Sequence, residues 1–161
     1  MKALILYRSY YGNTRLVAEA MAHEIEAIGH EVVLQDLRKG LPELSGFSCA
    51  LIGAPTRIAR VTRRALGTLK KLGKRGFAGK PVAIFDVYGP VPTTPEAQEK
   101  GKKWITPGAA GIMEKTARDQ RLKVYGKTLR CEITGMKGPL KEQELKKAAQ
   151  FARQFVEESL I

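Results

Sequence analysis

The sequence is poor in the residues that build metal centres and disulfide frameworks. Of its 161 residues, only two are cysteines and two are histidines. Cys49 and Cys131 lie far apart in apolar segments, which is typical of buried free thiols in a reducing compartment. His23 and His30 fall in a polar helical segment and in a turn. We therefore predict free thiols, no metal site and a cytoplasmic location.

Long apolar runs and low-complexity segments are also missing. No apolar run approaches the ~20 residues that a membrane helix needs. The apolar run at the N-terminus is too short for a signal peptide and no cleavage site follows it. Hydrophobic residues make up 43% of the chain and charged residues 27%, which is ordinary for a globular protein and excludes disordered or collagen-like chains. With no repeat or linker, we predict one domain over residues 1–161.

Acidic residues are scarce relative to basic ones. The chain has 28 Lys and Arg against 16 Asp and Glu, which gives a formal net charge of +12. Nine basic residues and no acid lie between Arg57 and Lys80, so the rest of the chain carries a net charge of only +3. Any function assigned to this chain has to account for that segment.

Strand and helix patterns alternate along the chain. Short apolar runs predict strands within residues 3–7, 31–36, 49–53, 81–87 and 122–133, and helical spacing predicts helices over 14–28, 60–72, 108–121 and 141–160. This alternation predicts an α/β fold with a parallel sheet and helices on both faces. The segment Gly89–Gly108 has no clear periodicity and contains four of the eight prolines. We predict that it forms a long loop.

The turn after the first strand is the best candidate for an anion site. It consists of Ser9-Tyr10-Tyr11-Gly12-Asn13-Thr14 and leads directly into a helix. Its hydroxyls, amide and glycine surround the first helical N–H groups, which carry partial positive charge. An ordinary helix cap uses the same residue types, so this turn alone does not decide between the two. No G-x-G-x-x-G follows a strand, and Gly126-Lys127-Thr128 lacks the first glycine of a P-loop.

Three segments at the ends of predicted strands resemble flavodoxins. The flavodoxin loop for the FMN phosphate is similar to Ser9-x-Tyr11-Gly12-Asn13-Thr14. The Gly-Ser-Pro-Thr after the third flavodoxin strand resembles Gly53-Ala54-Pro55-Thr56, and the Ser-Tyr-Gly after the fourth resembles Val87-Tyr88-Gly89. The Tyr-Gly-Asn-Thr form is similar to that of the flavodoxin domains of flavodiiron-type (A-type) flavoproteins. The resemblance covers nearly the whole chain, but no metal chemistry carries over from the diiron half.

The resemblance implies a flavodoxin-like fold with a five-stranded parallel sheet in the order 2-1-3-4-5, FMN as the cofactor and electron transfer through the flavin. It implies that the phosphate binds at Ser9–Thr14 and that the flavin ring lies between Pro55–Ile58 and Val87–Gly89. The implied cofactor-binding residues are Ser9, Tyr10, Tyr11, Gly12, Asn13, Thr14, Pro55, Thr56, Arg57, Ile58, Asp86, Val87, Tyr88 and Gly89. Relative to flavodoxins, residues 89–108 are an insertion whose Trp104 either folds over the flavin or anchors the loop.

The resemblance also implies that the basic segment begins at the rim of the flavin site. Flavodoxins that act as carriers are typically acidic, whereas here a basic helix follows Arg57 at the implied flavin rim. Its apolar residues would face the core and its basic residues the solvent. We expect an acidic redox partner, or a small acceptor, to dock near the rim, where the basic residues are Arg57, Arg60, Arg63 and Arg64. Alternatively, the basic residues form a solvent-exposed surface that binds no partner.

Other functions stay open at this point. The chain is either a carrier or an FMN-dependent oxidoreductase of the NAD(P)H or quinone type. A different class is a non-redox module that binds an anion or a partner through the basic segment 57–75. Nucleic acid is disfavoured because no aromatic residue interrupts that segment and no nucleic-acid motif is present.

Overall fold

Five parallel strands form the centre of the fold. They are β1 (Lys2–Tyr7), β2 (Glu31–Asp36), β3 (Cys49–Pro55), β4 (Pro81–Tyr88) and β5 (Lys123–Glu132). They pair side by side in the order β2-β1-β3-β4-β5, and every pair is parallel. The predicted fold class and the order 2-1-3-4-5 are confirmed.

The structure is a computed structural model that describes residues 1–57 and 61–160, apart from the side chains of Lys103 and Trp104. The predicted flavin contact Ile58 and the predicted docking residue Arg60 therefore lie outside the described residues. The same holds for the Trp104 ring, whose two predicted placements stay open.

Helices cover both faces of the sheet. They are α1 (Asn13–Ala27), α2 (Arg63–Lys74), α3 (Pro95–Lys100), α4 (Lys102–Ile105), α5 (Gly108–Asp119) and α6 (Glu144–Ser159). Helices α1 and α6 pack against one face, and α2 and α5 pack against the other. Because side chains of a strand alternate between faces, the central strands supply apolar residues to both cores.

Helix α2 begins later than the sequence pattern predicts. Residues 61 and 62 are not helical, and the Thr62 hydroxyl accepts a hydrogen bond from the Ala65 N–H at 3.2 Å. Thr62 is thus the N-cap of α2. Threonine is more favourable at an N-cap than in the interior of a helix. The predicted apolar face is confirmed, since Ala65, Leu69 and Leu72 are fully buried.

Two short helices, α3 and α4, occupy half of the segment 89–108, so this half is not the loop that the sequence predicts. The Thr94 hydroxyl accepts a hydrogen bond from the Ala97 N–H at 3.2 Å, and Pro95 takes the first helical position. Both features are helix-start signals that the sequence contains. Apolar periodicity could not reveal α3 because this helix has no buried residue.

The parallel sheet brings the carboxyl ends of all five strands to one edge, which is where ligands bind in open α/β sheets. The loops after β1, β3, β4 and β5 meet there. In the described part of the chain, no helix is both long enough and apolar enough to cross a bilayer.

Candidate functional site

A cavity of about 240 Å³ opens at the carboxyl edge of the sheet. The residues around it come from four strand ends: Ser9, Tyr10, Tyr11, Asn13 and Thr14 after β1, Pro55, Thr56 and Arg57 at β3, Val87, Gly89 and Pro90 at β4, and Ile133 and Met136 after β5. Ten of the fourteen predicted site residues are among them. No carboxylate belongs to the described lining, so an anion would meet no negative charge inside the cavity.

The loop after β1 leaves hydrogen-bond donors available at the start of α1. Gly12 has φ +93°, a left-handed conformation that glycine adopts without strain. The Ser9 hydroxyl accepts from the N–H groups of Gly12 (3.1 Å) and Arg15 (3.4 Å), so its own hydrogen is left to donate. The N-cap residue Gly12 has no side chain to cap α1, and no described residue accepts from the N–H groups of Asn13 and Thr14.

The Asn13 side chain fastens the loop after β5 to the start of α1. Its amide nitrogen donates to the Lys137 carbonyl at 3.0 Å, and Asn13 is buried. Asn13 also lines the cavity, so its role in cofactor binding stays a prediction. Gly12 shapes this turn but does not itself line the cavity.

Asp86 is predicted beside the flavin, but its carboxylate turns away from the cavity. It is fully buried and forms two hydrogen bonds with the Arg130 guanidinium, at 2.9 Å from Nε and 2.9 Å from Nη2. It also accepts from the Thr56 hydroxyl and from the Ala110 N–H, both at 3.0 Å. The Asp86 charge is thus neutralised inside the protein and stabilises the N-terminus of α5.

Thr56 lines the cavity, but its hydroxyl is already engaged. The hydroxyl donates to Asp86 and accepts from the Ala109 N–H at 2.8 Å. The Thr56 N–H donates to the Val87 carbonyl at 2.8 Å, which fixes the ends of β3 and β4 side by side. Thr56 therefore lines the cavity while its hydroxyl and its N–H bond to other protein groups.

Arg130 connects this buried network to the segment 89–108. Its guanidinium donates to the Ile105 carbonyl in α4 and lies 4.0 Å from the centre of the Tyr88 ring. Tyr88, a predicted flavin contact, therefore packs against Arg130 and does not line the cavity.

The rim of the cavity combines aromatic rings with cations. The guanidinium carbons of Arg8 and Arg57 lie 4.1 and 4.0 Å from the centre of the Tyr10 ring. The Lys137 ammonium lies 5.6 Å from the centre of the Tyr11 ring. Such cation–π contacts hold exposed aromatic side chains in place.

Sequence reasoning missed the contribution of the loop after β5. Ile133 and Met136 line the cavity, yet only the ends of β1, β3 and β4 were considered. The same rule about strand ends, applied to the fifth strand and to the turn residues Gly135 and Gly138, would have included this loop. Pro90, the residue after the predicted Gly89, was also missed.

Glu132 holds the start of the segment 89–108 against β5. Its carboxylate accepts from the Val91 N–H at 3.1 Å and pairs with the Lys141 ammonium at 2.8 Å. Burial opposes ionisation of Glu132, but these two hydrogen bonds and the charges of Lys141 and Lys147 together outweigh it and lower the pKa of the carboxyl below its usual value.

The two thiols lie outside the cavity lining and are unreactive. Burial raises the pKa of Cys49 to about 11 and that of Cys131 to about 12, and both are free and buried. A thiol that stays protonated is a poor nucleophile and a poor metal ligand. In the described part of the chain, no three His, Cys, Asp or Glu side chains are grouped so as to hold a metal ion.

The donor set fits a phosphate-bearing planar cofactor. Free backbone N–H groups and two hydroxyls at a helix N-terminus suit a phosphate dianion without a cationic side chain. The rest of the lining is largely apolar or aromatic, which suits a flat ring system.

Known proteins share the family and the fold of this chain. The family model for the flavodoxin domain matches residues 4–156. The fold is similar to a flavodoxin from the domain Archaea (21% identity, TM-score 0.78, all of both chains covered). It is similar to oxidised Flavodoxin 2 from Bacillus cereus (25% identity, TM-score 0.71, 98% of this chain and 99% of that one).

A flavodiiron protein also has this fold as part of a longer chain. The Flv1 flavodiiron core from Synechocystis matches with 19% identity and a TM-score of 0.75, over 99% of this chain and 36% of that one. No curated protein sequence matches the chain significantly. The family match, which spans nearly the whole sequence, confirms the predicted family and its cofactor, FMN. The chain belongs to the flavodoxin domain family of FMN-binding electron-transfer flavoproteins.

Proposed function

We propose that the chain binds one FMN in the described cavity and exchanges electrons with an acidic partner. The observation that carries the proposal is the start of α1, where Asn13 and Thr14 line a cavity without carboxylates and their N–H groups have no acceptor among the described residues. In this proposal the phosphate is bound by the hydroxyls of Ser9 and Thr14 and by the N–H groups of Asn13 and Thr14. Residues 1–161 act as one domain.

The apolar and aromatic lining would orient the flavin and exclude water from it. Pro55, Val87 and Pro90 offer flat or apolar surfaces, and backbone groups of the same loops can meet the polar edge of the ring. FMN supplies the redox chemistry when bound, so electron transfer requires no acid or base from the protein. The cavity volume of about 240 Å³ lies below the ~300–1,000 Å³ of typical ligand sites, so one edge of FMN would face solvent.

The first experiment is an FMN titration of the purified chain. We expect binding of one FMN per chain, with visible flavin absorbance and quenched flavin fluorescence. Bleaching of the loaded protein by NAD(P)H would assign it to the oxidoreductases, whereas reduction by dithionite alone favours a carrier. If FMN does not bind, the proposal is wrong and the non-redox module becomes the better assignment.

The basic surface of α2, which begins six residues after the cavity-lining Arg57, supports an acidic partner. On α2 and just after it, the side chains of Arg63, Arg64, Lys70, Lys71, Lys74 and Arg75 are exposed, and none of them forms an ion pair with a described residue. Elsewhere several exposed arginines pair within the chain, as Arg15 does with Glu19 and Arg118 with Glu114. An unpaired cationic face repels itself, which a purely solubilising surface does not require.

Reversing charge at the start of α2 should slow electron transfer to an acidic partner. We expect Arg63→Glu with Arg64→Glu to lower the second-order rate by about tenfold or more at low salt, because electrostatic steering is lost. The control is Lys123→Glu with Lys115→Glu, which changes net charge equally on β5 and late in α5. In stopped-flow measurements, the rates of the parent and of the Arg63→Glu, Arg64→Glu variant should converge as the NaCl concentration rises, because salt screens the charges. The docking proposal would be contradicted by a rate that changes neither with salt concentration nor with the charge reversal on α2.

The free, buried thiols support a reducing compartment such as the cytoplasm as the location of the chain. The acidic redox partner would dock around Arg57, Arg63 and Arg64, with Arg60 between them in sequence.

A further inference from the structure

Among the residues that the structure describes around the cavity, Arg57 alone is charged. Its guanidinium carbon lies 4.0 Å from the centre of the Tyr10 ring, which also lines the cavity. Such a cation–π contact holds an otherwise exposed side chain in place. The positive charge of Arg57 therefore stays at the cavity.

The carboxylates near the carboxyl ends of the strands do not offset this charge, because other cations neutralise them. Each forms an ion pair within the chain: Asp36 with Arg38 (2.7 Å), Asp86 with Arg130 (2.9 Å) and Glu132 with Lys141 (2.8 Å). The segment 89–108 contains two acidic residues and three lysines, so it adds no negative charge overall. Among the described strand ends, no carboxylate is thus left to oppose Arg57.

Two further cations lie at the rim of the cavity. The guanidinium carbon of Arg8 is 4.1 Å from the centre of the Tyr10 ring, and the Lys137 ammonium is 5.6 Å from the centre of the Tyr11 ring. We call Arg8, Arg57 and Lys137 the rim cations, and none of them forms an ion pair with a described residue. Because a cleft lined by charge of one sign focuses the field, the rim cations make the potential in the cavity positive.

A positive potential discriminates between the redox states of FMN because the charge of the ring changes. The oxidised ring is neutral, and uptake of two electrons and one proton converts it into an anion with its charge centred at N1. The phosphate carries the same charge in both states and in free FMN, so the change is confined to the ring. Nearby cations therefore stabilise the reduced ring and have little effect on the oxidised ring.

We propose that the rim cations make this site bind reduced FMN at least as tightly as oxidised FMN, with Arg57 as the main specificity-determining residue. The inference rests on the proposed function and adds a preference between two forms of the cofactor. By thermodynamic linkage, this preference places the midpoint potential of bound FMN at or above that of free FMN. The bound cofactor then passes its electrons to acceptors whose midpoint potential is higher than that of free FMN.

The first test compares the affinity of the parent for the two forms of FMN. Quenching of flavin fluorescence gives the dissociation constant for oxidised FMN. An anaerobic titration with dithionite and a reference dye gives the midpoint potential of bound FMN, and its difference from that of free FMN gives the dissociation constant for reduced FMN. We expect the dissociation constant for reduced FMN to equal that for oxidised FMN or to be smaller.

A series of charges at position 57 tests the assigned residue. We expect Arg57→Gln to weaken the binding of reduced FMN relative to oxidised FMN about tenfold, which lowers the two-electron midpoint potential by about 30 mV. Arg57→Glu should weaken it about a hundredfold, because the charge at the cavity is then reversed. Arg57→Lys keeps the charge and should leave the midpoint potential close to that of the parent.

The matched control is Lys123→Gln, which removes the same charge from the start of β5, at the opposite edge of the sheet. We expect this variant to have the midpoint potential of the parent. The differences within the Arg57 series should shrink as the NaCl concentration rises, because salt screens exposed charges.

Three results would overturn the inference while leaving the proposed function in place. One is a midpoint potential of the FMN-loaded parent below that of free FMN. Another is an equal loss of affinity for both forms of FMN in Arg57→Gln, because the side chain would then shape the site without selecting a redox state. The third is a midpoint potential for Arg57→Lys as low as that for Arg57→Gln. Failure of the parent to bind FMN refutes the proposed function itself and differs from all three.

Discussion

Replacing Ser9 and Thr14 together by alanine is expected to weaken FMN binding about a hundredfold or more. Each hydroxyl can donate to the phosphate dianion, and hydrogen bonds to charged groups contribute about 1.5–3 kcal/mol each. The free N–H groups at the start of α1 remain in the variant, so binding should weaken without being abolished. Quenching of flavin fluorescence measures the dissociation constant directly.

Riboflavin, which lacks the phosphate, is the matched control ligand. We expect the double variant to bind riboflavin as the parent does, and Thr14→Ser to retain most of the FMN affinity that Thr14→Ala loses. Ser9 also accepts two backbone hydrogen bonds, so its loss can disturb the loop itself. Equal weakening for FMN and riboflavin would reveal that disturbance and refute the placement of the phosphate.

Asp86→Asn is expected to lower the free energy of unfolding by about 3 kcal/mol, because it removes the charge of a fully buried carboxylate that pairs with Arg130. The Arg130 side chain is only 24% exposed, and that of Asp86 is fully buried. Asparagine keeps the shape and can still accept from Thr56. Chemical denaturation of the apoprotein measures the loss of unfolding free energy. The midpoint temperature of thermal unfolding should fall by roughly 10 °C.

Two comparisons make the Asp86 result specific. Adding Arg130→Met to Asp86→Asn should recover part of the lost stability, because the double variant replaces both charges of the buried pair. Asp36→Asn breaks a pair with Arg38, whose side chain is 62% exposed, so it should cost less than about 1 kcal/mol. If Asp86→Asn proves as mild as Asp36→Asn, the buried pair does not stabilise the fold as argued.

The sequence predicts the sheet well because the information is local. Short apolar runs and helical spacing arise from burial on one or both faces, and each can be recognised within a few residues. The order of strands and the edge at which the loops meet follow from the family resemblance and from the parallel arrangement. Apolar spacing did not predict the exposed helix α3 because this helix has no buried residue, although the cap at Thr94 and Pro95 marks its start.

The roles of two site residues could not be predicted because their partners are remote in the chain. Asn13 donates to Lys137, which lies 124 positions away, and Asp86 pairs with Arg130, which lies 44 positions away. A short polar side chain beside a strand end has the same appearance whether it meets a ligand or another loop. Only the tertiary structure distinguishes the two cases, and here it turns both side chains toward protein groups.

The concentration of positive charge along α2 gives the molecule an electric dipole. The stretch from Arg57 to Lys80 contains nine basic residues and no acid, whereas the rest of the chain carries a net charge of only +3. In the field of an acidic surface, such a molecule experiences a torque as well as an attraction. It would therefore turn its cationic side toward that surface before contact, so that fewer encounters are lost to unproductive orientations.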